Sequence, residues 1–152
     1  MRAFFKGFVY AGRGLALAFR ERNFRFHLCA ACFVSWFAAR FYELTRAEWA
    51  ILLLAFGAVM GLEVVNTALE HLADRVTRER DEHIRRCKDC AAGAVLVAAI
   101  FAVGVGAALF WDLERFAAIA EHFAAEPWRI FVLAAALAGA AAVVFGIRSK
   151  NL

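Results

Sequence analysis

The chain has 152 residues, 64% of them hydrophobic, where soluble domains usually hold about 45–50%. Sixteen Phe, one Pro and four Cys exclude disorder, collagen-like repeats and a disulfide-stapled secreted scaffold. A soluble domain of this length could not hide so much apolar surface, and the net charge of +4 is therefore juxtamembrane charge facing anionic lipid rather than a nucleic-acid signal.

Residues 1–22 are expected to form a basic amphipathic helix on the membrane surface. On a 3.6-residue helix Phe4, Phe8, Leu15 and Phe19 fall within an arc of roughly 60°, with Arg2, Lys6, Arg13 and Arg20 opposite. The first apolar stretch starts only after this segment and lacks a small-residue cleavage pattern, so no cleavable signal is expected. Crossing roughly 30 Å of hydrocarbon takes about 20 residues, and spans are expected at about 26–42, 49–72 and 90–111. The first is interrupted only by His27 and Arg40, and Arg40 can snorkel outward. Thr45-Arg46-Ala47-Glu48 reads as a capping box before the second, so spans one and two form a tight hairpin. Cys90 to Trp111 carries no charge. Residues 112–126 form an external segment, and Pro127 opens a fourth span, at a favoured first-turn position, within 127–152. The fold class is all-α: a polytopic membrane protein with a surface helix, a three-span core in residues 1–111 and a fourth C-terminal span.

Of the 18 Lys and Arg, fourteen fall in residues 1–25, 75–88 and 148–152, all on one side of this arrangement. The positive-inside rule puts both termini and the middle loop in the cytoplasm, and the protein in the cell membrane.

The polar residues at the end of span two carry the chemistry. Glu63, Asn66, Thr67, Glu70 and Asp74 share an arc of roughly 100° on one helix face. With Trp49 at the outer interface, Glu63 lies about 21 Å in and Glu70 about 31 Å in, at the inner boundary. A mid-membrane charge costs some 2.5–3.5 kcal/mol even on a lenient scale. Glu21-Arg22-Asn23 and Lys88-Asp89 sit at the same inner level. Mg²⁺ takes one or two carboxylates plus phosphate oxygens, and a Lys at a helix start holds phosphate as a point charge. These are parts for Mg-assisted phosphoryl transfer. No G-x-x-x-x-G-K-[ST], H-R-D or D-F-G is present, which excludes a P-loop or protein-kinase solution.

Several motifs in order then resemble one family. Glu21-Arg-Asn23-Phe, Glu48-Trp49, Glu63-x-x-Asn66-Thr-Ala-x-Glu70-x-x-x-Asp74 and Lys88-Asp89-Cys-Ala-Ala-Gly-Ala-Val-Leu96 resemble the small integral-membrane diacylglycerol/undecaprenol kinases of prokaryotes. The opening Phe4-Phe-Lys-Gly-Phe-Val-Tyr-Ala-Gly-Arg-Gly14 is similar to the Gram-positive undecaprenol-kinase branch. The resemblance implies a homotrimer with active sites between neighbouring subunits, and ATP and Mg²⁺ as donor and cofactor. It also implies Glu63 as general base for the lipid hydroxyl, and Glu21 and Glu70 as metal and nucleotide-phosphate carboxylates. Lys88 and Asp89 would contact the nucleotide, with Tyr10 on its adenine side, Glu79 in the loop, and Asn23, Asn66 and Asp74 as supporting polar positions. Three departures stand out. Glu79-Arg80-Asp81 replaces a frequent Glu-x-His, Cys87 and Cys90 flank Lys88-Asp89 where Ala is usual, and the fourth span lies outside the three-span core.

The expected function is ATP- and Mg²⁺-dependent phosphorylation of a membrane lipid alcohol, undecaprenol first and diacylglycerol second. A small proton-coupled transporter with Glu63 as relay is the rival class, but it would not need a charged cytoplasmic constellation. An assembly module held by polar helix contacts does not explain why Glu21, Glu70 and Lys88-Asp89 share one depth. Cys29-x-x-Cys32 and Cys87-x-x-Cys90 are read as packing positions rather than a zinc site, because a long gap separates the pairs and a Lys stands inside the second.

Overall fold

The computed structural model describes residues 2–76 and 81–146. Six α-helices account for almost all of them: α1 (Arg2–Ala18), α2 (Arg22–Phe41), α3 (Arg46–Val76), α4 (Glu82–Phe110), α5 (Leu113–Ala125) and α6 (Trp128–Gly146). The starts follow from local chemistry. Thr45 and Glu48 form the reciprocal cap expected from the sequence, with Thr45 N–H donating to Glu48 Oε2 at 2.7 Å and Glu48 N–H donating to Thr45 Oγ1 at 3.3 Å. Asp81 Oδ1 accepts from Ile84 N–H and Asp112 Oδ1 from Arg115 N–H, opening α4 and α5.

The first helix, α1, stops at Ala18, short of the residue 22 expected for a surface helix. Three backbone bonds, including Arg20 N–H to Leu17 O and Glu21 N–H to Ala18 O at 2.9 Å, tighten the chain into a turn there before α2 begins. Phe4, Phe8 and Leu15 all face outward, leaving the apolar stripe of α1 uncovered by the rest of the chain.

α3 and α4 form the main antiparallel hairpin; α2 packs on α3 and on α6, and α1 touches α3. The helices are therefore arranged α6, α2, α3, α4, with α3 burying the most: Leu52, Val59, Glu63, Asn66, Thr67 and Ala73. α4 and α6 keep large apolar side chains on the outside, among them Phe101, Val103 and Phe131. A lipid-facing helix needs no such burial, since acyl chains are as apolar as the side chains. Among the described residues three helices are long and apolar enough to cross a membrane: α3, α4 and α6. α2, expected as the first of four spans, has 20 residues but carries Arg22, Asn23, Arg25, His27 and Arg40, and falls outside that set.

Helix C-termini leave orphan carbonyls that hydrocarbon cannot solvate. Arginines serve them here. Arg25, 1% exposed, donates from Nη1 to the carbonyls of Phe19 and Arg20 behind α1, and from Nη2 to Val144 O in the last turn of α6 at 2.8 Å. At the opposite end Arg115 donates to Phe41 O of α2 at 3.0 Å, and Arg129 to His122 O of α5 at 2.7 Å. Tyr42 completes the set by donating its hydroxyl to Phe110 O, at the end of α4, at 2.9 Å. A cation at a helix C-terminus also meets the negative end of the helix dipole.

Candidate active site

Where α2 begins and α3 runs towards its end, a polar cavity of about 440 Å³ opens, lined by Glu21, Asn23, Glu63, Asn66, Thr67 and Glu70 together with Arg22, Arg25, Val144 and Phe145. The spacing along α3 places Glu63, Asn66, Thr67 and Glu70 on one face, as the helical period requires. Glu63, Asn66 and Thr67 are buried, whereas Glu70 is exposed at the mouth. The single face thus runs from an enclosed carboxylate to an accessible one.

α2 contributes through its N-terminus. Glu21 is the N-cap residue but makes no side-chain cap bond, so its carboxylate faces the cavity rather than serving its own helix. The unbonded N–H groups of the first turn of α2 stand beside it and favour anionic groups such as phosphate. Arg22 and Arg25 add positive charge to the same wall.

The buried carboxylate has a partner from α2. His27 Nε2 lies 3.4 Å from Glu63 Oε1, and Glu21 and Glu70 are near enough for their charges to act on Glu63. The Asn66 amide nitrogen donates to Glu70 Oε1 at 3.0 Å, while its carbonyl oxygen Oδ1 is buried without a partner. Two carboxylates and an unpaired amide oxygen form an all-oxygen donor set, which suits a hard divalent cation such as Mg²⁺. No group of three His, Cys, Asp or Glu that could hold a metal occurs among the described residues. Mg²⁺ needs none, because it keeps water and phosphate oxygens in most of its positions.

Of the residues expected from the sequence, the cavity brings together Glu21, Asn23, Glu63, Asn66 and Glu70. The others stand apart within one chain. Lys88 and Asp74 form an ion pair between α4 and α3 at 2.5 Å, outside the cavity lining. Asp89 is exposed and lies 3.9 Å from Arg85. Tyr10 is exposed on α1. Glu79 lies outside the described residues. Cys87 and Cys90, expected at packing positions, are free and exposed on α4.

Two residues of the site escape sequence reasoning. His27 was visible as the polar interruption of an apolar stretch, but nothing in the sequence paired it with Glu63, which is on another helix. Arg25 counted there as one more cytoplasmic positive charge, whereas the fold buries it as the joint between α1, α2 and α6.

A family profile described as prokaryotic diacylglycerol kinase matches residues 9–110. The undecaprenol kinase of Bacillus subtilis (strain 168) is 42% identical over 111 residues, covering 72% of this chain and 89% of that protein. The diacylglycerol kinase of Synechocystis sp. is 45% identical over 104 residues, 67% of this chain and 59% of that one. The diacylglycerol kinase of Haemophilus influenzae is 30% identical over 89 residues, 59% and 75% respectively. No solved structure matches the chain. α5 and α6 follow the matched region, yet Val144 and Phe145 of α6 belong to the cavity wall.

Proposed function

We propose, from the premise that this chain belongs to the prokaryotic diacylglycerol kinase family and is a lipid kinase, that it transfers the γ-phosphoryl group of ATP to the hydroxyl of undecaprenol, diacylglycerol being the alternative acceptor. The observation that carries the reading is a buried Glu63 at the closed end of a cavity whose mouth holds Glu21, Glu70 and the start of α2. Depth along α3 separates the two halves of the reaction. Seven residues at about 1.5 Å each put Glu63 about 10 Å deeper than Glu70.

Glu63 accepts the proton of the lipid hydroxyl as that oxygen bonds to the γ-phosphorus and the bond to the β-phosphate oxygen breaks, leaving the lipid phosphate and ADP. His27, whose Nε2 lies 3.4 Å from the same carboxylate, offers the proton a next site. Glu21 and Glu70, with Asn66 Oδ1, would hold Mg²⁺, which when bound neutralises charge on the transferring phosphoryl group. The α2 N-terminus and Arg22 hold the phosphates in line.

Lys88, Asp89 and Tyr10 lie on the surface of one chain. We assign them to the nucleotide side of a site completed by a neighbouring subunit in a homotrimer. A Cβ placed on Gly57 or Gly61 of α3 would meet nothing within 4 Å, so the backbone of another helix can approach closely there. α2 is taken as a fourth membrane crossing, with the acidic end of the bundle and both termini in the cytoplasm, where ATP is.

Purified protein, labelled ATP, Mg²⁺ and a panel of undecaprenol, diacylglycerol and ceramide test the proposal. Fastest transfer to undecaprenol is expected. Absence of transfer to every lipid alcohol would refute the activity, and faster transfer to diacylglycerol would reverse the order of substrates.

A further inference from the structure

A second cavity of about 930 Å³ runs between α2 and α6, near the top of the range of roughly 300–1,000 Å³ typical of small-molecule sites. Small side chains from both helices, among them Cys29, Cys32, Ala136 and Ala140, line it together with larger apolar ones such as Phe33 and Leu137. The helices are joined at their ends. Arg25 holds Val144 O of α6 at one end; at the other the link runs through α5, the Phe41 ring packing on the rings of His122 and Phe123, with centroids 5.4 and 6.0 Å apart, and Arg129 of α6 donating to His122 O at 2.7 Å. Where the small residues of the two helices meet, a slot stays open between them. From Trp128 to Val144 it extends about 24 Å by helix rise, most of the roughly 30 Å of hydrocarbon.

The slot adjoins the acidic cavity, with Val144 and Phe145 lining both. Polar side chains border it mainly at the far end, where Arg40, His122 and Arg129 stand. We propose that this slot holds the hydrocarbon chain of the substrate, with the hydroxyl reaching Glu63 past Val144 and Phe145, so that α6 is a substrate-binding element lying outside the matched family core. This rests on the lipid-kinase reading.

The occupant follows from shape and polarity. A polar ligand would lose its hydrogen bonds to water along an apolar wall. A helix of a second copy is about 10–12 Å across with its side chains, and inserting one would prise apart two helices tied by Arg25 at one end and bridged by α5 at the other. A lipid chain is narrow, flexible and apolar, and membrane lipid has lateral access to it.

The full-length protein in phosphatidylcholine vesicles provides the test, with a long-chain lipid alcohol bearing a photoreactive diazirine at mid-chain as probe. Labelling is expected on α2 and α6 within 29–33 and 136–141, and excess unlabelled undecaprenol should abolish it. Labelling of the exposed α4 face at Phe101 and Val103 should resist competition. Groove labelling that survives competition, or competed labelling on α4, overturns the proposal. So does bismaleimide coupling of two protomers through Cys32, which would place a second copy in the slot. In kinetics, Ala136→Trp and Ala140→Phe should raise KM for the long-chain alcohol about tenfold or more, with KM for ATP and turnover of a short-chain alcohol unchanged. Val103→Trp, on the outer face of α4, should change none of these. An active wild type whose Ala136→Trp variant keeps its long-chain KM refutes the slot alone, whereas a wild type that phosphorylates no lipid alcohol refutes the kinase reading itself.

Discussion

The two ends of the helix bundle use the same device for different purposes. At both, a guanidinium satisfies carbonyls that a helix C-terminus leaves open. At the end where α2 starts, Arg25 is 1% exposed and serves the ends of α1 and α6 at once. Next to it the buried polar residues are Glu63, Asn66 and Thr67. At the end where α2 stops, Arg115 and Arg129 are partly exposed, with 41% and 25% of their side chains accessible. The groups packed there are rings, Phe37, Tyr42 and Phe110 within 6.4 Å of one another, and Phe41 against His122. The first end concentrates desolvated charge, which costs stability and is retained where chemistry needs it. The second concentrates aromatic surface, which stabilises through apolar area and ring contacts rather than through charge. The contrast teaches where function and stability separate: substitutions at the first end should alter turnover, and those at the second should alter only the fold.

The largest effect should come from Glu63→Gln. Loss of a general base lowers turnover by about 10²–10⁴-fold, while apparent ATP affinity stays near its original value because the residue acts mainly in the transition state. Steady-state kinetics with ATP and lipid varied separately would measure this. Near-normal turnover would return Glu63 to a structural role.

Arg25→Met tests the joint. Bonds from a charged donor are worth about 1.5–3 kcal/mol each, so the loss should be about 3 kcal/mol or more. Unfolding in detergent should begin with the release of α6, seen as faster thiol labelling of Cys29. Unchanged stability would mean that the α2–α6 pair is held without this side chain.

Glu70→Gln keeps an acceptor for the Asn66 amide and has nearly the same helix propensity. It should leave the fold intact and raise the Mg²⁺ needed for half-maximal rate about tenfold, a cost of ~1.4 kcal/mol. An identical Mg²⁺ dependence would remove Glu70 from the metal site.

At the aromatic end Tyr42→Phe deletes only the bond to Phe110 O. About 1 kcal/mol of stability should be lost, with turnover unaltered. A drop in turnover there would break the division between the ends.

The smallest effect concerns His122, whose imidazole is held below its ordinary value of 6.5 by desolvation and then by the neighbouring Arg129 and Arg40 guanidiniums. It is therefore neutral in the fold at pH 7, with Nδ1 3.2 Å from Arg129 Nη1. As pH falls through 6.5 the unfolded chain takes up a proton before the folded one does, so stability is lost downward between 6.5 and the folded value. Above pH 7 it should be flat. A titration of the His122 ring by NMR with a midpoint at or above 6.5 would contradict this.

Much of this protein was legible before any coordinates. Uncharged runs such as Cys90–Trp111 mark helices because a chain in hydrocarbon must satisfy its own backbone. Thr45 and Glu48 announce a cap because both partners lie within one turn. Glu63, Asn66 and Glu70 fall on one face because 3.6-residue periodicity is a local property. Contacts between helices are not local. That His27 meets Glu63, that Arg25 reaches Val144 across 119 positions, and that α6 borders the acidic cavity depend on which helix packs beside which. The sequence determined the elements and the polar face of α3. Only the tertiary structure decided that α2, rather than α4, completes the pocket around that face, because side-chain partners on separate helices are chosen by packing and by the need to satisfy buried charge, neither of which has a period that can be read along the chain.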